Sequence, residues 1–101
     1  MVIDAFPPAY SFRSPLSLEQ MRARLNAATE WHWREGDSGW VGDYVSTRPV
    51  PEGSWRLYRQ GRAYVMEMRK RAYTRAWHDV MRKRLLPLLE ATAIKPDEGF
   101  D

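Results

Sequence analysis

Trp55-Arg56-Leu57-Tyr58-Arg59-Gln60-Gly61-Arg62-Ala63-Tyr64-Val65-Met66-Glu67-Met68-Arg69 is the stretch that decides the fold. Two alternating runs flank Gln60-Gly61, which is the pattern of a β-hairpin. A two-residue turn at Gln60-Gly61 pairs Leu57 with Tyr64 and Trp55 with Met66. One face then collects Trp55, Leu57, Tyr64, Met66 and Met68. The other collects Arg56, Tyr58, Ala63, Val65, Glu67 and Arg69. The first reads as a core face and the second as an outside face. A type I′ turn at this place asks a positive φ of Gln60, but burying five large side chains outweighs a turn preference.

Upstream, alternation continues. Trp31 and Trp33 share one face of a strand, Gly36-Asp37-Ser38-Gly39 reads as a turn, and Trp40 to Thr47 returns as the next strand. Pro49, Pro51 and Gly53 mark a longer connection. Ser17-Leu18-Glu19-Gln20 fits a capping box, and Leu18, Met21, Leu25 and Ala28 recur at helical spacing, which predicts a helix to about Ala28. Tyr10-Ser11-Phe12-Arg13 reads as a first strand, broken by Pro15.

Downstream, Thr74 is a suitable N-cap. Tyr73, Trp77, Val80, Met81, Leu85 and Leu88 lie on one side of the helix it opens. Arg71, Arg75, His78 and Arg82 line a narrow stripe elsewhere. Pro87 kinks this helix or starts a new turn. Arg84 falls among the apolar residues, so its guanidinium must reach a carboxylate or backbone carbonyls from a partly buried stem. Glu67, on the opposite sheet face, is not the expected partner. Ala93-Ile94-Lys95 reads as a short last strand.

The expected fold is α+β: a two-layer sandwich, with an antiparallel sheet of four to five strands and two helices packed on one face. Residues 1–8, ending in Pro7-Pro8, read as an extended N-terminal arm, 9–95 as a single domain, and 96–101 as an acidic C-terminal tail.

The chain has 101 residues, enough for one domain with a thin core, and no cysteine. Disulfides, thiolate metal sites and Cys nucleophiles are therefore excluded, and His32 and His78 alone cannot make a histidine-rich zinc site. No apolar run approaches a membrane span, and the N-terminus lacks a signal-peptide pattern. A cytoplasmic protein is expected. Residues 1–61 carry no net charge, 62–84 carry +6 and 85–101 carry −3. Thirteen of the sixteen cations are Arg, which pairs bidentately with carboxylate and phosphate and stacks on rings.

Few groups suggest catalysis. Gly36-Asp37-Ser38-Gly39 matches the tetrapeptide around a trypsin-type nucleophile, but the chain is too short for that fold and lacks its upstream partners. His78 and Asp79 are helical neighbours that point apart. His32, Glu35, Asp37 and Asp43 around one hairpin are the only carboxylate–histidine candidates for a small enzyme. Gly61 to Val65 overlaps an RNA-recognition signature, yet Arg62 and Glu67 stand where stacking aromatics belong. No cofactor or metal signature is present.

Binding is the expected function. If Val41 and Val45 face the helices, then Trp40 and Tyr44 stand on the open sheet face, joined by Arg56 and Tyr58. These residue types dominate protein-binding hot spots. The leading expectation is a small non-catalytic protein-binding module, of bacterial inhibitor, immunity or regulatory type by analogy of size, with a homodimer as one form of partner. The competing expectation is nucleic-acid binding through Arg71, Arg75, His78, Arg82 and Lys83.

Overall fold

The computed structural model describes residues 9–50, 53–69 and 75–97. The Pro7-Pro8 arm, Arg71, Thr74 and most of the acidic tail lie outside the described residues. The class is α+β. Strand β1 (Ala9–Arg13) is followed by helix α1 (Leu18–Ala28) and strands β2 (Arg34–Ser38), β3 (Gly42–Val50), β4 (Gly53–Gln60) and β5 (Ala63–Arg69). Then come α2 (Arg75–Asp79), a π-helical segment (Val80–Leu85), α3 (Leu86–Leu88) and β6 (Thr92–Pro96). The strands form one sheet in the order β2-β3-β4-β5-β1-β6, antiparallel throughout. The sheet therefore has six strands, not four to five. The additional strand is β6, which the Ala93–Lys95 reading anticipated and which pairs with β1.

The β4–β5 hairpin differs from expectation in register but not in faces. Leu57 pairs with Met66 and Trp55 with Met68, and Gln60 with Ala63 closes the turn. The turn residues are Gly61 and Arg62, with Gly61 at φ 64°. A positive φ at only the first central position is the type II′ pattern, for which Gly is the natural residue. Gln60 is thereby spared the left-handed conformation. The slip is two residues, and side chains alternate with period two, so every residue keeps its face. Trp55, Leu57, Tyr64, Met66 and Met68 are all buried.

Both helices pack on that face. Met21 and Leu25 of α1, and Met81, Leu85 and Leu86 of the C-terminal helical run, join the same core cluster. Ser17 closes the expected capping box with Gln20. Ala28 is exposed, contrary to the helical-face reading, because it lies in the last turn, beyond the sheet contact. The buried Tyr64 hydroxyl donates to the Leu16 carbonyl at 2.8 Å, so the core aromatic is satisfied.

Tryptophan supplies much of the core. Trp55 is at its centre: Trp33 stacks on it at 6.1 Å and 5°, and Trp31 and Trp77 meet it edge-on at 5.0 and 5.3 Å. Trp31 and Trp33 precede β2 and are not in a strand. Trp33 is held by Asn26, which accepts from its backbone N–H and donates to its carbonyl.

The C-terminal helical run widens before Pro87. The Leu86 amide donates to the Met81 carbonyl, five residues back. Proline has no N–H and its ring crowds the carbonyl four residues earlier, so the α-helical ladder cannot continue unbroken. A π-turn absorbs the mismatch. Arg84 meets the expectation: its side chain is 43% exposed, and its guanidinium grips Glu30 at 2.9 and 3.2 Å, reaches the Ala28 carbonyl at 3.4 Å and lies over the Trp31 ring at 5.3 Å. The Arg84 hydrogen bonds hold the Glu30 carboxyl below its ordinary pKa.

Candidate functional site

The face of the sheet away from the helices carries the unusual chemistry. Alternation along β2, β3 and β4 places Arg34, Tyr44, Ser46, Arg56 and Tyr58 there. Across the strands Gly36 pairs with Tyr44 and Tyr44 with Tyr58; Arg34 pairs with Ser46 and Ser46 with Arg56. The two rows lie side by side.

The Tyr44 ring lies over Gly36, and any Cβ at position 36 would collide with it. Glycine thus lets the ring lie flat on the sheet. The Arg56 guanidinium sits 5.7 Å from the Tyr44 ring centre and 5.5 Å from that of Tyr58, within cation–π range. It also pairs with Glu67, its direct neighbour on β5.

This face corrects the expectation of a bare outside surface. Tyr58 and Val65 are 3% and 0% exposed, and Glu67 is buried too. Ala9, Tyr58 and Val65 form a second apolar cluster, with Val41 and Tyr44 packed against it. Burial, together with the charges of Glu67 and Asp97, pushes the Tyr58 hydroxyl up to about 12. Tyr58 and Arg56 are therefore embedded in the face and are not free contact residues. Tyr44 remains half-exposed.

Trp40 lies elsewhere than in a strand. Gly36 to Ser38 belong to β2, and the turn is Gly39-Trp40-Val41, with Gly42 at φ 73°. Ser38, the residue of the protease-like tetrapeptide, accepts a hydrogen bond from the Trp40 amide and serves the turn. Val45 faces the core as expected, while Val41, inside the turn, joins the opposite cluster. Trp40 projects from the hairpin tip at 96% exposure.

The basic stripe is partly absorbed into the structure. The Tyr10 hydroxyl and His78 Nε2 are 2.7 Å apart, and Arg82 lies over the Tyr10 ring at 4.9 Å. Lys83 reaches Asp79 at 3.9 Å, one helical turn back. Arg75 is exposed and Arg71 lies outside the described residues. His78 Nδ1 does come within 3.7 Å of Asp79, closer than helical neighbours were expected to be. Tyr10, the partner of His78 Nε2, is buried. The group straps the helix to β1.

The carboxylate–histidine candidates separate. Glu35 pairs with Arg22 at 3.2 Å, and Asp37 and Asp43 face each other across β2–β3. These carboxylates line a different depression from His32. Among the described residues no group of three or more His, Asp or Glu can hold a metal ion.

Sequence reasoning passed over a groove at the root of the β2–β3 hairpin. Its volume is about 660 Å³, and Arg34, Arg48 and Arg56 ring the small Ser46, with His32 and Ser54 beside them. Period-two spacing of Ser46 with Arg48, and of Ser54 with Arg56, was the signal available. Among the described residues no helix is long and apolar enough to cross a membrane. No protein-family model, curated protein or solved structure matches the chain.

Proposed function

We propose that the chain is a non-catalytic binding module that docks a protein partner through the β2–β3 hairpin, with Trp40 as the anchor and Tyr44 beside it. The observation that carries this reading is the 96% exposure of Trp40, the one large apolar side chain exposed among the described residues. An indole held in water forgoes roughly 2–3 kcal/mol of burial free energy, and four other tryptophans in the same small chain are packed inward or against the core. Trp anchors that enter a partner's pocket are a recurrent source of binding energy. The partner therefore offers an apolar pocket to the hairpin tip. An inhibitor, an immunity-type protein and a regulatory module each fit this reading, and the identity of the partner separates them.

The test is co-purification from the native host with tagged wild type, Trp40→Ala and the Arg75→Ala/Arg82→Ala pair. A discrete partner retained by wild type and by the arginine variant, and lost with Trp40→Ala, is the expected result. Loss only with the arginine variant overturns the reading.

A further inference from the structure

We infer that the groove ringed by Arg34, Arg48 and Arg56 binds the phosphate dianion of a small organic phosphate. This inference stands apart from the docking of a protein on Trp40. It begins with charge. Arg56 is matched by Glu67, and Glu30, the one carboxylate lining the groove, is matched by Arg84. Arg34 and Arg48 have no ion-pair partner among the described residues. Among the described residues the groove thus keeps two unbalanced guanidinium charges.

Geometry brings those two together. Arg34 is directly opposite Ser46, and Arg48 lies two residues beyond Ser46 on the groove side of β3. Diagonal neighbours in a regular ladder lie about 7–8 Å apart, their Cβ atoms somewhat closer, and both arginines line the groove, Arg48 just where β3 shifts register against β4. Two long side chains rooted near one another can close on a single anion above the small Ser46, which also lines the groove. A carboxylate brings one charge and leaves one guanidinium unmatched. A phosphomonoester brings a charge near −2 and three acceptor oxygens, which suits two planar forks and a hydroxyl. The volume, about 660 Å³, is that of a small-molecule site rather than of a bare ion. Room remains for an organic group against the half-exposed Tyr44 ring.

Calorimetric titration of the full chain with phenyl phosphate, sodium benzoate and a single-stranded oligonucleotide, at matched ionic strength, tests this. Phenyl phosphate should bind one to one and at least ten-fold more tightly than benzoate. Arg34→Gln and Arg48→Gln should each weaken it ten-fold or more, while Arg62→Gln, at the distant β4–β5 turn, leaves it unchanged. Circular dichroism checks the fold of each variant. Should either Gln variant unfold, Arg34→Lys and Arg48→Lys keep the charge without the fork and should give intermediate weakening. Equal binding of benzoate, equal weakening by Arg62→Gln, no binding of phenyl phosphate, or binding of the oligonucleotide alone overturns the inference.

Discussion

Arg56 on β4 and Glu67 on β5 face each other directly across the strands and form an ion pair, with the guanidinium within cation–π range of both the Tyr44 and the Tyr58 ring. The side chains are only 19% and 11% exposed, so each charge depends on the other for solvation. Glu67→Ala leaves a mostly buried guanidinium uncompensated and should destabilise the fold by about 2–4 kcal/mol. Adding Arg56→Met should recover part of that loss. Urea denaturation of the two variants checks both outcomes.

Tyr58 makes stability fall at high pH. Its folded pKa is pushed up to about 12 from 10.0, chiefly by burial and then by Glu67 and Asp97. Between those values the unfolded chain has lost the phenolic proton and the folded chain still holds it. The folded state therefore binds more protons, and stability decreases as pH rises through this window. The contribution is intact below pH 10. Tyr58→Phe should flatten the decline between pH 10 and 12, measured as Tm against pH.

The core and the hairpin tip should respond oppositely to truncation. Leu57→Ala removes a fully buried side chain beneath the helices and should cost about 2–5 kcal/mol through the cavity left behind. Trp40→Ala removes an exposed one and should change stability by no more than about 0.5 kcal/mol. Parallel chemical denaturation of both variants gives the contrast.

Gly36→Ala places a methyl group where the Tyr44 ring lies. The ring must lift from the sheet, and its contact with Arg56 must loosen. Altered Tyr44 ring resonances in NMR spectra, with Trp55 resonances nearly unchanged, are the expected signature.

These contrasts also show what the residues reveal when read in order. The hairpin faces were legible because alternation is periodic, and a slip of two residues leaves it intact. The capping box at Ser17 was legible because it is local. The burial of Tyr58 and Val65 was not, because it depends on which distant segment lies alongside. That Arg84 must reach a carboxylate was legible from its apolar neighbours; that the carboxylate is Glu30 was not, because the pair joins residues 54 apart in the chain. Tyr44, Arg56 and Tyr58 were grouped correctly on one face, yet only packing shows that Arg56 and Tyr58 are embedded there. The groove around Ser46 was missed because its arginines come from three strands and converge only after pairing.

The central claim, docking through Trp40, is tested most directly by a photoreactive benzoylphenylalanine at position 40, irradiated in the native host's lysate. The account predicts a covalent adduct with a discrete protein that is absent when the probe is at position 95, on the opposite edge of the sheet. Excess purified wild-type chain should compete it away, and excess Trp40→Ala chain should not. Equal labelling from both positions, or equal competition by the two chains, would contradict the account.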